Sequence, residues 1–166
     1  MPQPLAIGRH TKAIADAITR AVNRFKQGLS TYLDIEVAFR HGKSDLSSRA
    51  TPAFITGALK DYEPDLMLLS HSAALSYDFS RDVKGIIGTD EYQTLFPGVR
   101  PGRGYDTVQE WRVDGSHGKN VFTGLGGSFV GKGAAVLIVD DWFDGQRRSD
   151  VRKKYANRDG KDIRML

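Results

Sequence analysis

At 166 residues the chain fits one domain with a buried core, and with 40% hydrophobic and 27% charged residues its composition is globular rather than disordered. No apolar run approaches the ~18 residues of a membrane helix, Met1 to Ile7 lack the basic start and apolar centre of a secretory signal, and the absence of cysteine excludes disulfides and thiolate metal sites while agreeing with a reducing compartment. The net charge of +4 is a mild bias towards polyanions and does not by itself indicate nucleic-acid binding.

In chain order, the spacing of Ile14, Ile18, Val22 and Phe25, with Ala17 and Ala21 on the same face, predicts an amphipathic helix from about His10 to Leu29, ending near Gly28. Tyr32 to Phe39 alternates apolar and polar residues and predicts a strand. Arg40-His41-Gly42-Lys43-Ser44 follows it directly. A helix is expected from Lys43 to about Ile55, with its end blurred by Pro52. Asp65 to Ser70 reads as a strand buried on both faces, and Ser72 to Ile87 as a helix capped by Ser72, with Leu75, Phe79, Val83 and Ile86 on one side. Phe96-Pro97-Gly98 and Arg100-Pro101-Gly102 break the pattern. Val108 to Val113 and Asn120 to Thr123 suggest two strands joined by the turn Asp114-Gly115-Ser116-His117-Gly118. Gly124, Gly126, Gly127, Gly131 and Gly133 then cluster ahead of a strand from Ala134 to Val139, which closes on Asp140 and Asp141. Beyond Asp144 the chain is polar and basic. The alternation of strands and helices predicts an α/β domain with a mostly parallel sheet flanked by helices; the Gly-Lys-Ser turn and the strand ending in paired acids make the expected class P-loop NTPase-like.

Two segments carry chemistry. A loop from a strand into a helix can aim backbone N–H groups, and the positive end of the helix dipole, at a phosphate. There Gly42 would allow close approach, Lys43 would reach the β- and γ-phosphates, and Ser44 would offer its hydroxyl to Mg²⁺. The match to Gly-x-x-x-x-Gly-Lys-Ser/Thr is partial, because Val37 occupies the leading glycine position. The competing reading is a surface turn before a helix. The second segment ends a buried strand with paired acids, which need partners there. Asp140 would hold the Mg²⁺, and Asp141 would orient or deprotonate the attacking water; the competing reading is a turn before Trp142. Together the segments describe the two halves of an ATP and Mg²⁺ site.

These residues also resemble a family. Phe39-Arg40-His41-Gly42-Lys43-Ser44 is similar to the Pro-Pro-Arg-His-Gly-Lys-Ser motif of the large terminase subunits of tailed phages. Leu68-Leu69-Ser70-His71-Ser72-Ala73, with Phe79 to Val83 after it, resembles that family's Ser-Tyr-Ser-Ala segment and the helix that follows. Gly126 through Asp141 resembles its Gly-Gly-x-x-x-Gly-x-Gly-Ala stretch running into Ile-Ile-Asp-Asp. The sequence departs from the family where Ala38-Phe39 stands for two prolines and where no Asp-Pro follows the acids.

The resemblance implies an ATPase that packages double-stranded DNA into a procapsid. Its expected partners are the DNA, a small terminase subunit and the portal protein, as a homo-oligomer on the portal in the host cytoplasm. It implies that Arg40 acts in cis on the γ-phosphate, against the alternative of a surface arginine paired with Glu36 or Asp45. It assigns Arg40, His41, Gly42, Lys43 and Ser44 to the nucleotide. It also implies that residues 1–166 are the motor part alone, ending before the coupling motif and the C-terminal nuclease domain. A helicase-like P-loop ATPase and a catalytically silent terminase fragment are the alternatives. His71 and Ser72 could sense the γ-phosphate, and Trp111 and Trp142 read as packing residues.

Overall fold

The computed structural model describes residues 8–37, 42–125 and 133–140. Helix α1 (Arg9–Lys26) buries Ile14, Ile18 and Val22, the stripe set by their spacing of four. Gly28, with φ +73, ends it. The Gly28 N–H donates to Phe25 C=O at 2.9 Å and the Leu29 N–H to Arg24 C=O at 3.0 Å, the paired bonds of a Schellman cap.

The segment expected as a strand from Tyr32 is different. Residues 32–37 are irregular and mostly exposed, with Tyr32 at 87% exposure, and no described strand pairs with them. Alternation marks a chain that fits a half-buried pleated surface, and a strand forms only where a neighbour accepts its backbone bonds.

From Lys43 the chain is helical to Ala58, so Pro52 does not end the helix. Residues Asp45–Ala50 form a π-helical turn that leads into α2 (Thr51–Ala58). Proline at 52 has no N–H for the carbonyl of Ser48, and its ring would strike that carbonyl in a regular α-helix. The wider π turn relieves both problems. The Thr51 N–H and hydroxyl both go to Leu46 C=O, the hydroxyl at 2.6 Å.

After a short 3₁₀ turn at Lys60–Tyr62, strand β1 (Leu66–Ser70) is buried throughout. Helix α3 (Ala73–Ile87) starts as expected, with Ser72 Oγ accepting the Leu75 N–H, and it buries Phe79, Val83 and Ile87. A short helix α4 (Asp90–Leu95) and strand β2 (Pro101–Asp106) occupy a stretch in which the sequence signalled only breaks. Strands β3 (Glu110–Val113) and β4 (Lys119–Gly124) form the expected hairpin, and β5 (Val136–Val139) is the strand that leads to Asp140.

The sheet has five strands in the order β2-β3-β4-β1-β5. It is α/β but mixed rather than mostly parallel. β1 lies parallel to β4 and β5, while β2–β3 and β3–β4 are antiparallel. The reason is local: turns short enough for a hairpin return the chain antiparallel, whereas β1 reaches β4 and β5 by long crossovers.

Leu66, Leu68, Phe122, Trp111 and Ile138 share the face that packs on Val22, Ile55, Phe79, Val83 and Ile87 of the helices. Met67, Leu69 and Val121 form a second cluster on the opposite face. Trp111 is a packing residue, fully buried and stacked on Phe122 at 6.3 Å, with its indole N–H donating to Ser80 Oγ at 3.2 Å. Tyr92 donates its hydroxyl proton to Ala53 C=O at 2.8 Å, and burial raises its pKa well above the ordinary phenol value.

Candidate functional site

The Asp140 N–H continues the parallel ladder one step past β5 by donating to Leu69 C=O at 2.9 Å. This places Asp140 at the carboxyl end of β1 and β5, where open α/β sheets bind ligands. Its carboxylate is only 2% exposed. A buried charge needs partners, and two side chains from the beginning of the helical run supply them. Lys43 Nζ lies 3.4 Å from Oδ1, and Ser48 Oγ donates to Oδ2 at 2.5 Å. The early turn and the late strand, separated by most of the chain, therefore meet.

Gly42 sets the turn. Its φ of +73 lies in the left-handed region, and nothing stands within 4 Å of where a Cβ would be. The demand for glycine is thus conformational rather than steric, and a residue with a side chain would cost roughly 1–2 kcal/mol in that region. Gly42 C=O accepts the Leu46 N–H at 3.1 Å, closing the first turn of the helical run. Lys43 and Ser44 begin that run, so the positive end of its dipole and Lys43 lie at the same place. The lysine side chain is 32% exposed, which leaves its head in reach of both Asp140 and solvent.

A polar lattice fixes the neighbouring strand ends. Ser70 Oγ donates to Ser72 C=O at 2.8 Å and lies 2.9 Å from Ser76 Oγ, while Ser76 Oγ donates to Thr123 C=O at 2.7 Å. Gly124, at the end of β4, passes so close to α3 that a Cβ would fall 2.4 Å from Ala73 N. Ser72 caps α3, and His71 beside it is exposed. The π turn is tied to α3 through Arg49. Its guanidinium bonds Asp45 at 2.9 Å and Asp82 at 2.6 Å and lies 4.9 Å from the Phe79 ring centre. Asp45, the acid considered as a partner for Arg40, is therefore engaged by Arg49.

Of the residues singled out in the sequence, Lys43 and Asp140 are brought into contact, and Gly42 and Ser44 flank Lys43. Arg40, His41 and Asp141 lie outside the described residues, as do Trp142 and most of the glycine cluster. Ser48 was not anticipated. The signal for it was Pro52, four residues on, which forces the helix open at that carbonyl.

Asp140 Oδ1 is buried and makes no hydrogen bond. A buried carboxylate oxygen of that kind, with a partly exposed cation at 3.4 Å, is of the hard-oxygen type that a metal ion such as Mg²⁺ takes. No group of three or more His, Cys, Asp or Glu among the described residues could hold a metal. Magnesium bound with a nucleotide needs only one or two protein groups, since phosphates and water complete its octahedron. Among the described residues no helix is long and apolar enough to cross a membrane. Comparison with protein-family models, with curated proteins and with solved structures found no match.

Proposed function

We propose that this chain is a P-loop ATPase domain, the motor part of a phage terminase large subunit that drives double-stranded DNA into a procapsid. The observation that carries the ATPase reading is the meeting of Lys43 and Asp140 at the carboxyl end of the parallel strands. A strand-end acid in contact with a lysine at the start of a helical run gives the two halves that a metal–triphosphate site requires. The terminase reading rests further on three sequence motifs in order, ending at Ser44, Ala73 and Asp141.

In this reading Gly42 and the start of the helical run direct backbone N–H groups at the phosphates. Lys43 leaves Asp140 for the β- and γ-phosphates when they arrive, and Asp140 and Ser44 hold Mg²⁺. The metal, when bound, would neutralise charge building on the phosphate oxygens. Asp141 is the proposed water-orienting base and Arg40 the proposed γ-phosphate contact, with His41 completing the loop. The partners proposed on the same motifs are the small terminase subunit and the portal protein, with further copies of this chain around the portal in the host cytoplasm.

Calorimetric titration with ATP and Mg²⁺ tests the site. Binding that disappears in Lys43→Ala while the variant stays folded supports the reading. Equal affinity in parent and variant would leave the Lys43–Asp140 pair as a structural ion pair, and the ATPase reading would fail.

A further inference from the structure

Ser48 belongs to neither chemical motif, yet its hydroxyl is the group that grips Asp140. The residue is fully buried, and Ser48 Oγ and Asp140 Oδ2 are 2.5 Å apart. Proton accounting fixes the direction of this bond. An ionised carboxylate can only accept, and a serine has one proton to give. Ser47 Oγ, 3.2 Å from Ser48 Oγ, has its own acceptor in Lys43 C=O at 2.9 Å. With the Ser47 proton placed there, the Ser48 proton goes to Asp140.

The two carboxylate oxygens therefore differ. Oδ2 is held by Ser48, whereas Oδ1 has no hydrogen bond and faces the Lys43 ammonium. A carboxylate pinned through one oxygen cannot turn about its Cβ–Cγ bond without losing that bond, so Oδ1, the oxygen with no hydrogen bond, is the one held towards the cation.

Ser48 owes this position to the π turn. That turn surrounds the residue whose carbonyl Pro52 would otherwise strike, and Arg49, the next residue, is clamped between Asp45 and Asp82. Pinned on both sides, Ser48 is a fixed donor rather than a mobile surface hydroxyl.

We infer that Ser48 is a positioning residue that locks Asp140 with one oxygen towards the cation position, so that Lys43 and Mg²⁺ exchange at the same atom. This inference rests on the ATPase reading above. In it the hydroxyl one helical turn beyond Ser44 sets the metal response of the site while touching neither metal nor nucleotide.

The test measures ATP affinity by calorimetry, once in excess chelator and once across a series of Mg²⁺ concentrations, for the parent, Ser48→Ala, Ser48→Cys and Ser48→Thr. Circular dichroism confirms that each is folded. Cysteine leaves no cavity and is a weaker donor, so it stands in for alanine should the smaller residue unfold the chain. The expected result is an unchanged affinity in chelator and a Mg²⁺ midpoint raised about ten- to a hundredfold in Ser48→Ala or Ser48→Cys, with Ser48→Thr returning towards the parent. A Mg²⁺ midpoint equal to the parent's, or an equal loss of affinity with and without metal, overturns the role of Ser48 and leaves the ATPase reading standing. A parent that binds no ATP with Mg²⁺ overturns both.

Discussion

Lys43 and Lys84 each reach an aspartate far along the chain, Asp140 and Asp106 respectively, but the burial is reversed between the pairs. Lys84 is the more enclosed member of its pair. Its ammonium also donates to Thr107 C=O at 2.8 Å and lies 5.8 Å from the Trp111 ring centre, while Asp106 is half-exposed. That cation joins α3 to Asp106, Thr107 and Trp111, so the pair is a clasp between α3 and the β2–β3 end of the sheet. At the other end the acid is enclosed and the cation is not. Asp140 is held by its own backbone, by burial and by Ser48, whereas Lys43 is partly exposed to solvent. A buried acid beside a partly exposed cation suits a ligand site; an enclosed cation beside an exposed acid suits a structural joint.

The comparison breaks most sharply at Asp140. Asp140→Asn should lower ATP hydrolysis by about a hundredfold or more, through weaker hold on the Mg²⁺ that would offset transition-state charge, with little change in the thermal midpoint. A large loss of stability with no loss of turnover would make Asp140 another clasp.

Trp111→Ala gives the scale of the structural end. It removes a fully buried ring that stacks on Phe122 and supports Lys84, and it should cost roughly 3–5 kcal/mol in denaturant unfolding. Tyr92→Phe should cost about 1 kcal/mol through the lost bond to Ala53 C=O. It should also flatten the alkaline end of the stability profile. Burial raises the folded pKa of Tyr92 above its unfolded value, so its contribution is complete below pH ~10 and is lost as pH rises further. An alkaline profile identical in parent and variant would contradict that. The smallest effect is expected from Lys84→Ala, at most about 1 kcal/mol of stability, with ATP affinity unchanged. A fall in ATP affinity there would erase the distinction between the two pairs.

Where local pattern and final packing agreed, the sequence was readable. Ile14, Ile18 and Val22 mark α1, Gly28 ends it, and Ser72 opens α3, because stripes and caps act over one or two turns. The buried strand and hairpin were equally plain in Leu66 to Ser70 and in the turn around Gly115. Sheet direction was not, since alternating strands and helices do not reveal which neighbour each strand takes. Strand β2 was hidden because Pro101 and Gly102 read as breakers, and their effect depends on whether the strand lies at a sheet edge, as β2 does. Tyr32 to Val37 misled in the opposite sense, with strand-like alternation and no described partner.

At the site, the glycine turn at Gly42, Lys43 at the start of a helix and Asp140 at the end of a strand were legible from local pattern, and the structure brings Lys43 and Asp140 into contact. Ser48 was not, because serine is common and its role arises from a contact across 92 positions. Pro52 was read as a possible stop, when its effect was to widen the turn that holds Ser48.

The central claim is that Lys43 and Asp140 serve one metal–triphosphate. It is tested most directly by measuring ATP affinity with Mg²⁺ and with chelator, in the parent and in Asp140→Asn. The account predicts tighter binding with Mg²⁺ in the parent and no such difference in Asp140→Asn, with chelator affinity retained. Mg²⁺ strengthening ATP binding equally in both proteins would contradict it.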